Sequence, residues 1–199
     1  MLQDDFFFSR LQSEKVDFFL ELLKKWQKKI NLVSSASVED LRVRHVYDSA
    51  QLCRCLHFQD IVLDVGSGAG FPGIILSIVG GQPIHLLEPS LKKHAFLQEV
   101  ILKLSLNARL YPERIEHFFP TFVPTVLTAR GLASVEKIFS LSERLLTPAL
   151  RYVLLKGQSF EQEIEEASLK WNFEVEIFPS ITHPLGKVLV FSKVFPKND

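Results

Sequence analysis

Gly66-Ser67-Gly68-Ala69-Gly70-Phe71-Pro72-Gly73 holds four of the nine glycines in this 199-residue chain and follows directly on the apolar run Ile61-Val62-Leu63-Asp64-Val65. Glycine at that density lets the backbone turn sharply and bring its N–H groups against a ligand, while the next helix presents its positive N-terminal end. The chemistry implied is the binding of a nucleotide-type cofactor. Gly68, Gly70 and Gly73 have the G-x-G-x-x-G spacing of dinucleotide-binding turns. Asp64, just before that loop, points elsewhere: a carboxylate opposes a pyrophosphate and suits a cationic group. S-adenosylmethionine carries an ammonium and a sulfonium but no phosphate. Glu88 closes a second apolar run, Ile84-His85-Leu86-Leu87, and is placed to accept two ribose hydroxyls, a role that both cofactor classes share.

Other polar groups have two readings each. Arg130 ends a strand beside the cofactor crevice, where function is favoured over a salt bridge. Lys92, Lys93 and His94 open a helix, as phosphate contacts or as a solvated face. Lys156 ends the fifth strand, where contact with a base or phosphate is expected. His45, Asp48 and Ser49 share one helix side at i, i+3 and i+4, and His45 with Asp48 reads as a surface pair tying the N-terminal region to the sheet. His57, His85, His117 and His183 lack metal-ligand spacing, and no metal is expected.

The elements that must position these groups follow from periodicity. Val16, Phe19, Leu20, Leu23, Trp26 and Ile30 recur at helix spacing, with Ser13 as the expected N-cap. Lys15, Lys24, Lys25, Lys28 and Lys29 lie opposite, as a solvated face in preference to an RNA contact. Ser37 with Asp40 has the pattern of a capping box. From residue 61 onward strands (61–65, 84–88, 107–111, 125–129, 150–156, 173–178, 187–194) alternate with helices (72–80, 90–104, 134–146, 158–169). The 178–186 loop is too short for a crossover helix, so the last two strands should pair antiparallel. The expected fold is α/β, a Rossmann-like methyltransferase with a seven-stranded, mostly parallel sheet and a terminal antiparallel hairpin. Residues 1–56 form an N-terminal helical region and 57–199 the S-adenosylmethionine-dependent domain.

Basic and acidic residues number 23 each, so a nucleic-acid partner must be held by a local basic face rather than by a global field. Cys53 and Cys55 are too close for ordinary disulfide geometry and read as buried thiols in a reducing compartment. Asp4 and Asp5 stand where a signal peptide would be basic, and no apolar run approaches a membrane span. A cytoplasmic monomer with no membrane partner is expected.

Asp64-Val65-Gly66-Ser67-Gly68-Ala69-Gly70-Phe71-Pro72-Gly73 resembles the signature of the ribosomal RNA small-subunit methyltransferase G family, also called glucose-inhibited division protein B. Lys29-Ile30-Asn31-Leu32-Val33, Arg44-His45-Val46-Tyr47-Asp48-Ser49, Ser90 to Leu97, Arg130 with Ala133-Ser134, and Leu155-Lys156-Gly157 agree in order. The resemblance implies methyl transfer from S-adenosylmethionine to N7 of a guanine in 16S rRNA of the small ribosomal subunit, in a loop near the decoding site. It implies that Gly66 and Phe71 line the cofactor, that Glu88 meets the ribose, that Ile115 and Glu116 flank the adenine, and that Arg130 stands at the mouth shared by cofactor and substrate. Thr125, Ala129 and Gly131 depart from the family's Asp and its Ser-Arg-Ala, and Ile75 replaces a common proline. Two other classes stay open: a nicotinamide-dependent oxidoreductase using the glycine spacing, and a non-catalytic rRNA-binding or assembly factor that keeps the fold.

Overall fold

The computed structural model describes residues 8–34 and 40–197. Helix α1 (Arg10–Gln27) leads to a second helical segment, which passes from π-helical Arg42–Tyr47 through α-helical Asp48–Ala50 to 3-10 Gln51–Cys55. Then follow β1 (Val62–Val65), α2 (Gly73–Val79), β2 (Ile84–Leu87), α3 (Leu91–Leu104), β3 (Ala108–Tyr111), the 3-10 turn Ile115–His117, β4 (Val126–Arg130) and α4 (Val135–Ser142). The chain ends with β5 (Arg151–Lys156), α5 (Phe160–Ser168), β6 (Trp171–Pro179) and β7 (Lys187–Pro196).

The strands form one sheet in the order β3-β2-β1-β4-β5-β7-β6. β1 to β5 are parallel, and β7 runs antiparallel to both β5 and β6. This is the expected sheet with its terminal hairpin. β1 and β2 are buried at every position, as central parallel strands covered on both faces must be. Strand order reverses between β1 and β4, so the crevice outside their carboxyl ends is where such a sheet receives a ligand. Because β6 runs in the same direction as β5, the loop after Pro179 returns to this edge.

Ser9, not Ser13, caps α1. Its Oγ accepts from the Gln12 amide at 3.3 Å, and Gln12 Oε1 accepts from the Ser9 amide at 2.8 Å, a reciprocal capping box that places Ser13 inside the helix. Ser37 lies outside the described residues; the following helix opens as the π-helical turn at Arg42, with no side-chain cap. The apolar face of α1 joins the core on one side of the sheet, so packing crosses the boundary at residues 56 and 57. Phe19 meets Phe71 edge-on, with centroids 5.3 Å apart, and stacks on Phe96. Trp26 Nε1 donates to Glu99 Oε2 at 2.8 Å. Lys24, Lys25, Lys28 and Lys29 are exposed and Lys15 half-buried.

Thr125 immediately precedes β4, at the opposite end of the strand from Arg130. Its Oγ1 donates to Asp60 Oδ1 at 2.8 Å and accepts from the Ile61 amide, and Arg151 donates to the other Asp60 oxygen. The departure at Thr125 therefore lies at the amino edge of the sheet, away from the crevice. Cys53 and Cys55 are free and half-buried rather than fully buried; burial pushes the Cys53 thiol up to about 11. Among the described residues no helix is long and apolar enough to cross a membrane, and no three metal-ligating side chains cluster.

Candidate active site

β1 delivers Asp64, fully buried, to the base of the glycine loop. Its Oδ2 accepts from the Gly73 amide at 3.2 Å, while Oδ1 is buried with no hydrogen-bond partner among the described residues. Burial pushes the carboxyl up to about 7, against the lowering effects of Ser67, Gly73 and Arg130. Asp64 lies behind the glycine loop and lines none of the three clefts at this edge of the sheet, so toward a cationic ligand it is a buried counter-charge and not a direct contact. Gly66 has φ +70°, and a Cβ on it would come within 2.8 Å of Leu132 Cδ1. At Gly73 a Cβ would meet Leu86 Cδ2 at 2.2 Å and the Asp64 carboxylate at 2.5 Å, so only glycine lets α2 start this close to the sheet.

Glu88 follows β2 and is buried. Its Oε2 accepts from the Gly68 amide and its Oε1 from the Ser90 amide, both at 2.8 Å. The carboxylate thus fixes the glycine loop and the start of α3 while lining the crevice. Each oxygen keeps accepting capacity toward a diol.

Three clefts adjoin at this edge. The first, of 330 Å³, runs between the glycine loop, Glu88 and the turn carrying Ile115 and Glu116, with Leu132 and Gly131 on the other wall. Arg144 donates to the carbonyls of Ile115 and Glu116 and so braces that turn. The second, of 510 Å³, lies between the glycine loop and the N-terminal segment, along Val33, His45, Phe71 and Lys93. The third, of 330 Å³, lies outside β4 and β5, under the loop that joins β6 to β7. Arg130 lines all three.

The Arg130 guanidinium sits 5.0 Å from the Phe71 ring centroid, donates to the Arg44 carbonyl at 3.2 Å, and lies 3.6 Å from Asp48 Oδ2. Burial lowers its pKa, while Asp48 and Asp64 pull it back up. Gly131 adopts φ +63° directly after it, so glycine in place of the family's alanine suits a left-handed turn.

The residues expected as a surface pair have separate surroundings. His45 stacks on Phe71, with centroids 5.0 Å apart. Burial first, then Arg130 and Arg44, hold its pKa down at about 4, so the ring is neutral near pH 7. Both its ring nitrogens are buried and lack hydrogen-bond partners among the described residues. Asp48 does tie the N-terminal region to the sheet: its Oδ1 accepts from Thr182 Oγ1 at 2.7 Å and from Gln51 Nε2 at 2.8 Å.

The expected lysines divide. Lys93, half-buried, borders the first two clefts, and Lys92 is exposed one position earlier on α3. Lys156 turns inward, donating to the Ala133 carbonyl at 2.6 Å and to Glu163 Oε2 at 2.7 Å. Lys156 also lines the third cleft, where its charge is paired with Glu163. Sequence reasoning passed over Leu132 and the 180–186 loop. Nothing local marks Leu132, but the antiparallel hairpin already implied that the loop returns to this edge.

The family model described as rRNA small subunit methyltransferase G, GidB, matches residues 12–187. The chain belongs to the rRNA small subunit methyltransferase G family. Within this methyltransferase G family, the Rhodospirillum rubrum protein named ribosomal RNA small subunit methyltransferase G is 38% identical over 187 residues, covering 94% of this chain and 92% of its own. The Rickettsia prowazekii protein of the same name is 38% identical over 178 residues, covering 88% and 91%. A SAM-dependent methyltransferase from Aquifex aeolicus shares the fold at a TM-score of 0.59 and 16% identity, over 85% of this chain and 97% of that one. The methyltransferase G sheet is thus a Rossmann-like methyltransferase sheet.

Proposed function

We propose that this chain transfers a methyl group from S-adenosylmethionine to N7 of a guanine in the 16S rRNA of the small ribosomal subunit. Family membership across residues 12–187 carries the reading. The chemistry of the crevice supports it. Asp64, whose Oδ1 is buried without a partner among the described residues, is a buried counter-charge to the cofactor ammonium. The backbone at Gly66 and Gly68 accommodates the methionine part, Phe71 borders it, Glu88 accepts from the ribose hydroxyls, and Ile115 and Glu116 flank the adenine.

Bound there, S-adenosylmethionine supplies a sulfonium methyl group, whose C–S bond breaks as the guanine N7 lone pair forms the new C–N bond. That lone pair is in the ring plane and unprotonated at neutral pH, so the protein has no proton to remove. The work of its residues is alignment, worth up to roughly 7–11 kcal/mol. Arg130, bordering all three clefts at this edge, is the positioning group. Lys92 and Lys93 give the RNA backbone a local basic face without sequence information. A cytoplasmic monomer is the corresponding cellular form.

Small subunits that lack the modification, incubated with the protein and methyl-labelled S-adenosylmethionine, test the reading. Label in one 16S guanine, at a position that becomes cleavable after reduction as N7-methylguanine does, is the expected result. Absence of label, or label on another atom, refutes it.

A further inference from the structure

We propose that the third cleft receives the target guanine, with Asp48 accepting from its N1–H and N2 amino group while Arg130 donates to O6. The proposal rests on the methyl-transfer reading above and adds what reads the base.

The cleft is built for one base rather than a helix. Its 330 Å³ lies at the small end of ligand pockets, with Leu155 as an apolar wall. N7 of guanine faces a deep, narrow groove in A-form RNA, so the reacting nucleotide must be splayed out to be methylated at all. The charges that line the cleft fit such a guest. Arg44, Arg130, Lys156 and Lys187 make the lining mainly positive, as a nucleotide requires. Asp48 is the exception, since a cleft that took phosphate alone would be weakened by a carboxylate in its lining. That carboxylate is held from behind by Thr182 and Gln51 on Oδ1. Its Oδ2 stands 3.6 Å from Arg130, beyond hydrogen-bond distance, and keeps lone pairs for a donor in the cleft.

Spatial order supplies the second argument. Asp48 borders the third cleft, Arg130 borders all three, and Gly66 and Gly68 border the first two. Around the rim of guanine the groups run N2 amino, N1–H and O6 on the Watson–Crick edge, then N7 beside O6 on the Hoogsteen edge. Laid against this wall, the donor pair meets the carboxylate, O6 meets the guanidinium, and N7 comes next, on the cofactor side. Adenine reverses the pattern: its N6 amino group would face the Arg130 donors, and it has no N1–H for Asp48.

Small subunits reconstituted with guanosine or inosine at the modified position test this, because inosine lacks only the N2 amino group. The wild-type protein should favour guanosine in kcat/KM by roughly 10- to 100-fold, the range for one hydrogen bond to a charged group. Asp48→Asn should reduce that preference to near unity with an unchanged Kd for S-adenosylmethionine. Equal wild-type rates on the two substrates overturn the proposal without recourse to any variant. So does an Asp48→Asn protein that slows on both substrates alike and keeps the full preference, since the carboxylate then only braces the loop. A wild-type protein that binds S-adenosylmethionine yet methylates neither substrate overturns the proposed function itself.

Discussion

Gly66 is constrained twice, by a backbone angle of φ +70° and by Leu132 Cδ1, 2.8 Å from where a Cβ would stand. A β-branched residue tolerates that angle worst. Gly66→Val should therefore abolish S-adenosylmethionine binding in calorimetry while circular dichroism stays near that of the wild type; unchanged affinity would remove the loop from the site. Arg130 is constrained by three partners at once: the Phe71 face, the Arg44 carbonyl and Asp48. A lysine restores the charge but not the planar fork that serves three directions. Arg130→Ala should lower kcat more than it raises the Kd for cofactor, since lost alignment weakens the transition state and not the ground state. Arg130→Lys should rescue poorly. If the cofactor Kd alone rises, Arg130 is a cofactor ligand and the RNA role falls.

At the scale of elements, α1 reaches the site through Phe19, which is fully buried and packs edge-on against Phe71 of the glycine loop. Phe19→Ala should cost about 3–5 kcal/mol in urea denaturation, as a large-to-small change in a core, and should also weaken cofactor binding because Phe71 loses its support. A stability loss with unaltered affinity would show that α1 and the loop are uncoupled. The strands and the crevice were legible in the sequence for one reason: Asp64, Gly66 and Glu88 stand at or next to the ends of short apolar runs, so local order already places them together. The capping box at Ser9 and Gln12 was equally local and was passed over for Ser13, which lies four residues later. What spans the chain was not legible. Thr182 reaches Asp48 across a separation of 134 residues, and that contact exists only once β6 and β7 have folded back on β5. Lys156 is a mixed case: its place at a strand end, lining the third cleft, was local, whereas its pairing with Glu163 depends on the following helix packing back on the sheet.

For the whole molecule, basic and acidic side chains balance at 23 each, so pH acts through a few buried groups rather than through net charge. Burial raises Asp64 from 3.8 to about 7, so its contribution to stability is present at low pH and is lost as pH rises toward 7. Burial lowers His45 and His85 from 6.5 to about 4, so theirs is present above 6.5 and lost as pH falls toward 4. Between pH 4 and 6.5 the two histidines outweigh the single carboxyl, so stability should rise with pH and level off above about 7, while cofactor binding should follow Asp64 alone. The ammonium favours ionised Asp64, so affinity for S-adenosylmethionine should rise by about tenfold as pH increases from one unit below the Asp64 pKa to above it, then level off. Calorimetry in buffers of different ionisation enthalpy should show a proton released on binding below about pH 7 and none well above it. Asp64→Asn should bind weakly at every pH with no proton released. The chemical step, measured in single turnovers at saturating cofactor, should by contrast be flat across neutrality, because N7 has no proton to lose. A cofactor affinity that ignores pH would mean that Asp64 is already ionised in the free protein. A single-turnover rate that follows one group near neutrality would mean that a base takes part in the transfer.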